Sequence, residues 1–164
     1  MQPKQLKHIA IAALLLPASA FAATSTPVPL VVTATVLTSC IAVTTPVVFG
    51  NYDPTSASPT VNTGTVLVTC TTGTPYNVLL DAGASTGATV TTRKMKDAGT
   101  NHLPYNLYSD GGRTTNWGMT VGTDTVAGTA TGIAQTLTVY GRIPAGATAP
   151  AGAYTDTVNV TVSY

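Results

Sequence analysis

Two cysteines, one histidine outside the N-terminal run and six aspartates are the side chains of this 164-residue chain with most scope for redox, metal or acid–base chemistry. Their spacing suits little of it. A zinc-type site needs several His, Cys or carboxylate ligands brought together, and His102 has no second histidine or cysteine near it. A nucleophilic serine or cysteine needs a base, and His102 stands alone. The acids are Asp53, Asp81, Asp97, Asp110, Asp124 and Asp156, with no glutamate. Each falls near a turn or strand end. Asp53-Pro54, Asp81-Ala82-Gly83 and Asp110-Gly111-Gly112 read as turn chemistry rather than as the paired carboxylates of glycoside hydrolysis. These residues point to no catalytic, cofactor or metal site, and to a protein that is not an enzyme. Trp117 with Tyr105, Tyr108 and Tyr140 could stack on a sugar, but Tyr105 and Tyr140 fall on strand positions and read better as core or groove residues. Arg93-Lys94-Met95-Lys96 reads as a solvated loop or an intersubunit polar contact rather than an anion site. Arg142 is a candidate partner for Asp156.

The elements that position these groups begin after an N-terminal export signal. Residues 1–22, MQPKQLKHIAIAALLLPASAFA, combine a basic start, an apolar run from Ile9 to Leu16 and small residues ending Ala20-Phe21-Ala22. That is the pattern of a secretory signal peptide, with cleavage expected after Ala22 and Ala18-Ser19-Ala20 as a second candidate. A retained membrane anchor is the rival, but the run is shorter than the roughly 20 residues needed to span a bilayer. Export places Cys40 and Cys70 in an oxidising compartment, which points to a disulfide between them. Closing that loop is worth about 3.5 kcal/mol on chain-entropy grounds.

Cleavage leaves a length usual for one domain. Charged residues are 8% of the chain, far below the roughly 25% of ordinary globular domains. Beyond residue 22 the cations are Arg93, Lys94, Lys96, Arg113 and Arg142, a scatter that offers no nucleic-acid surface. Threonine and valine dominate, and both fit a pleated sheet.

Alternation supports the same reading. GTVLVTC (64–70), PYNVLLDAG (75–83), HLPYNLYSDGG (102–112) and AQTLTVYGRIP (134–144) place apolar residues at alternate positions, and GAYTDTVNVTVSY (152–164) alternates Tyr154, Asp156, Val158, Val160, Val162 and Tyr164 against threonine, asparagine and serine. CIAVTTPVVFGNYD (40–53) contributes Ile41, Val43, Val47 and Phe49 before a turn. No 3.6-residue period is visible, and strands spaced by turns read as an all-β sandwich. Ahead of it, TPVPLVVTATV places Val28, Leu30, Val32, Ala34 and Val36 on one face. Pro27 and Pro29 hold this stretch extended and remove donors. A regular strand of this kind is a pairing hazard when left open. Its partner is either a sheet in its own chain or one in another molecule.

The order of motifs is specific. VVFGNYD (47–53), VLVTCTTGTPYNVLLDAG (66–83), RKM (93–95), LPYNLYSD (103–110), WG (117–118) and LTVYGRIPAG (137–146) precede the closing GAYTDTVNVTVSY. Over nearly all of residues 37–164 the chain resembles the spore coat protein U-like domain family, whose members form subunits of archaic chaperone–usher pili, and it looks most like a Csu-type major pilin. The resemblance implies an incomplete immunoglobulin-like β-sandwich at 37–164, completed by a donor strand from a neighbouring subunit. It assigns 23–36 as that donor strand, with Val28, Leu30, Val32, Ala34 and Val36 facing a neighbour's groove. It makes the C-terminal strand, with Tyr154, Val158, Val160, Val162 and Tyr164, the edge that docks a periplasmic chaperone. The implied partners are that chaperone, an outer-membrane usher, other pilus subunits and further copies of the chain, with no nucleic acid. The implied destination is a cell-surface fibre, reached through the periplasm, serving adhesion and biofilm formation. The family's other setting keeps an alternative open, a secreted or coat protein whose N-terminal strand closes its own sandwich.

Overall fold

The computed structural model describes residues 22–164, so all of the expected signal peptide except its last position lies outside the described residues. The chain divides at Thr35/Val36 into two units. In the first, residues 22–35 form no regular secondary structure, and their side chains are exposed.

The second unit, Val36–Tyr164, is all-β. Its strands are β1 (Cys40–Thr45), β2 (Thr60–Cys70), β3 (Pro75–Leu80), β4 (Lys94–Lys96), β5 (His102–Pro104), β6 (Asn106–Tyr108), β7 (Val126–Thr129), β8 (Gln135–Ile143) and β9 (Val160–Ser163). One sheet has the order β1-β2-β8-β6, a second β7-β3-β9, and β4-β5 forms a short ribbon. Every pairing is antiparallel. The inner positions follow the alternation in the sequence: Val66 and Val68 of β2, Val78 and Leu80 of β3, and Val139 and Ile143 of β8 are buried. The architecture is an immunoglobulin-like sandwich with a strand missing, as the family resemblance implied.

Several boundaries differ from the sequence reading. The apolar run after Cys40 ends as a strand at Thr45, because Pro46 cannot continue the ladder. Within β1 the register sets Ala42 opposite Val68 and Thr44 opposite Val66. Ala42 and Thr44 therefore face inward, leaving Ile41 and Val43 exposed on the outer face. The 102–112 run breaks into β5 and β6, which change partners from β4 to β8 across Tyr105. The closing run is a ladder only over Val160–Ser163, with one isolated bridge from Thr155 to Lys96.

Cys40 and Cys70 are direct partners in the β1–β2 register and are joined as a disulfide, with their Cα atoms 4.1 Å apart. The bridge ties the edge strand of the first sheet to its neighbour.

Candidate functional site

The two sheets do not close on each other everywhere. Between the β1 edge of one and the β9 edge of the other runs a groove of about 1050 Å³. Its floor is apolar, with Val66, Leu80, Leu107, Val139 and Ile143 drawn from both sheets. One wall is the chain from Thr44 to Phe49 and the other runs from Ala149 to Val160.

Two glycines shape the first wall. Gly64 and Gly141 occupy inward positions in mid-strand, where a side chain would normally fill the core. A Cβ on Gly141 would come within 2.6 Å of Val47 Cγ1 and 2.7 Å of Phe49 Cζ. One on Gly64 would come within 2.6 Å of the Thr45 carbonyl oxygen. The chain after β1 therefore lies in a dent across β2 and β8, with Val47 and Phe49 only half-buried. The Phe49 ring meets Tyr105 edge-on, centroids 6.3 Å apart. Tyr52 fastens the end of this wall: its hydroxyl donates to Pro144 O (3.0 Å) and accepts from Ala147 N (2.7 Å). A glycine at an inward strand position was the sequence signal for this close approach.

The second wall leads into β9. From Tyr154 to Val162 the even-numbered residues are half-buried and the odd-numbered ones exposed. Tyr154, Val158, Val160 and Val162 pack against the core without being covered by it. β9 pairs with β3 on one side only, so its other edge is open. Tyr164 is 60% exposed. The Tyr154 hydroxyl donates to Pro150 O within its own loop (2.8 Å).

A polar cluster supports one end of the groove. Arg93 is 0% exposed and donates to four backbone carbonyls: Leu80, Asp81, Val90 and Trp117, at 2.8–2.9 Å. This corrects the solvated-loop expectation for Arg93: a guanidinium can be buried when carbonyls from converging segments take up its donors. Burial lowers its pKa, opposed by nearby Tyr105, Asp81, Asp156 and Asp124. Asp156 accepts from Tyr105 OH at 2.6 Å and from Ala84 N at 2.8 Å, so it does not take Arg142 as its partner. Burial, reinforced by Asp156, pushes the Tyr105 phenol far above its ordinary value, so it remains a donor. Burial also disfavours the Asp81 carboxylate, but hydrogen bonds from Asn159 and Gly83 outweigh this and hold its pKa below the usual range.

The aromatic residues divide. Trp117 is fully buried, its indole donating to Val78 O at 2.8 Å, and Tyr105 is buried in the groove floor. Tyr108 and Tyr140 pair on the outer face of the first sheet, where Arg113 lies over the Tyr140 ring at 5.7 Å. They form no common platform. Among the described residues no group of three His, Cys, Asp or Glu side chains could hold a metal ion.

In the first unit, Val28, Leu30 and Val32 are 83–88% exposed. Ala34 and, at the start of the second unit, Val36 are exposed as well. The large aliphatic side chains of this run are thus exposed.

Comparison with known proteins adds two findings. The Spore Coat Protein U domain family matches residues 26–161. The fold is similar, at a TM-score of 0.59 and 24% identity, to a chain in the crystal structure of the CsuC–CsuE chaperone–tip adhesion subunit pre-assembly complex from the archaic chaperone–usher Csu pili of Acinetobacter baumannii. The match covers 79% of this chain and 41% of that one. No curated protein matches the sequence.

Proposed function

The chain belongs to the Spore Coat Protein U domain family, and from that premise we propose that it is a structural subunit of a chaperone–usher pilus, polymerised by donor-strand complementation. The observation that carries this reading is an apolar groove beside the open β9 edge, in a chain that also carries a spare alternating strand. Lengths agree: at about 3.3 Å per residue, the 154–163 border spans roughly 33 Å and the 28–36 strand roughly 30 Å. Val28, Leu30, Val32 and Val36 of one subunit enter the groove of the next, each gaining about 1.5–3 kcal/mol on full burial. Backbone bonds along the β9 edge add about 0.5–1.5 kcal/mol each. Before assembly a periplasmic chaperone covers the groove, docking along Tyr154–Tyr164. An outer-membrane usher then passes the growing fibre to the cell surface, where it serves adhesion and biofilm formation.

Expression with and without a chaperone and usher, read by boiling-resistant ladders and electron microscopy, tests this. Leu30→Asp or Val32→Asp puts an unpaired charge into an apolar groove and should abolish ladders and fibres. Thr33 and Thr35, on the other strand face, should tolerate substitution. A soluble monomer indifferent to partner proteins would overturn the reading in favour of a self-complemented secreted protein.

A further inference from the structure

The segment 154–159 borders the groove yet has little ladder of its own. Apart from the Thr155–Lys96 bridge, the Asp81 N–Asn159 O bond and the Tyr154 hydroxyl on Pro150 O, its fixed points are two carboxylates. Asp156 Oδ1 accepts from Ala84 N (2.8 Å) and Thr157 N (2.9 Å), while Oδ2 takes the Tyr105 hydroxyl from the groove floor. Asp81, at the end of β3, accepts from Asn159 N (3.0 Å) and Asn159 Nδ2 (2.6 Å). The site is shaped for this purpose. Gly83 has φ +85°, and a Cβ there would collide with the Asp156 carboxylate. Tyr105 is itself held by Arg93, whose carbonyl accepts the Tyr105 amide at 3.0 Å.

We infer that Asp156, Tyr105 and Asp81 are positioning residues that clamp the 154–159 wall in an extended register, so that an incoming strand meets a preformed edge rather than a loose loop. The inference rests on the strand-docking reading of the groove. Preorganisation of this kind lowers the ordering cost of binding. It also explains why a carboxylate and a phenol are placed beside an otherwise apolar groove: each is satisfied by the other and neither presents an unpaired group to the incoming strand.

A fluorescein-labelled peptide of residues 26–36 and the purified full chain test the clamp. Capture is followed by anisotropy, and the wall by hydrogen exchange at the Thr157 and Asn159 amides. Asp156→Ala should slow capture at least tenfold, and Tyr105→Phe about three- to tenfold. Asp156→Asn, whose Oδ1 still accepts from Ala84 and Thr157, should capture within about twofold of wild type. In Tyr105→Phe both amides should exchange about tenfold faster, although that substitution removes neither of their acceptors, while β2 and β8 amides keep their protection. Wild-type capture and wild-type exchange in Tyr105→Phe would overturn the clamp. Should Asp156→Ala fail to fold, the Asn and Phe variants decide alone. A wild-type chain that captures no peptide would contradict the strand-docking reading, with the exchange measurement still deciding whether the clamp exists.

Discussion

The inner faces of β2 and of the 158–162 run both carry alternating valines, Val66 and Val68 in the first and Val158, Val160 and Val162 in the second. They end in different environments. Val66 and Val68 are 1% and 0% exposed, whereas Val158, Val160 and Val162 stay half-buried. β2 is hydrogen-bonded to a strand on each side and has a sheet across from it, while β9 is hydrogen-bonded on one side only, with β1 nearby but not paired to it. Alternation specifies which face turns inward. Complete burial requires neighbours, and at β9 one of them is missing. The molecule therefore has a closed half, where the core is covered, and an open half, which is where the proposed strand would dock.

The sharpest test of that contrast is to truncate one side chain in each half. Trp117→Ala, in the closed core away from the groove, should cost about 3–5 kcal/mol in denaturant unfolding. Val160→Ala, on the open side, should cost about 1 kcal/mol or less in the isolated chain and much more in the polymer, where the groove is filled. Equal costs in the isolated chain would erase the distinction.

The disulfide should have the next largest effect. Replacing Cys40 and Cys70 together by serine removes the only covalent tie on the β1 edge among the described residues and should lower stability by about 3 kcal/mol. Hydrogen exchange should rise in β1 well before it rises in β8. Uniform exchange across the first sheet would show that β1 does not depend on the bridge.

Much of this was legible in the sequence. The inward positions of β2, β3 and β8 followed from alternation alone, as did the pairing of Cys40 with Cys70 from the redox context. Three things were not legible. Regular alternation over 154–159 read as ladder, but the ladder there is replaced by carboxylate hydrogen bonds from Asp81 and Asp156, which no local pattern reports. Ile41 and Val43 read as apolar residues of their run with no face assigned, and it is the register with β2 that turns them outward, a property of two strands. Arg93 read as a surface cation, because the four carbonyls that accept its donors come from segments ten to twenty-odd positions away as well as from its own loop.

The smallest effects are those of pH, and they too separate the regions. Asp81 has a folded pKa below its unfolded value. Its contribution is therefore present above the unfolded value of about 3.9 and is lost as pH falls through the folded one. Tyr105 has a folded pKa above its unfolded value. Its contribution is full below about pH 10 and is lost as pH rises beyond that. Both groups serve the 154–159 wall, so amide protection there should weaken at either extreme before global unfolding. Asp81→Asn should flatten the acid limb and Tyr105→Phe the alkaline one. Limbs unchanged in those variants would assign the pH dependence to other groups.

The central claim is that the open half lacks one strand and that residues 26–36 supply it. The most direct measurement is the melting temperature of the chain with a synthetic peptide of residues 26–36 in excess. At one hundred times its Kd, such a ligand stabilises by about 2.7 kcal/mol, a rise on the order of 10 °C for a domain of this size. A peptide carrying aspartate at the positions of Leu30 and Val32 should give no rise. A melting temperature unmoved by the first peptide, or moved equally by both, would contradict the account.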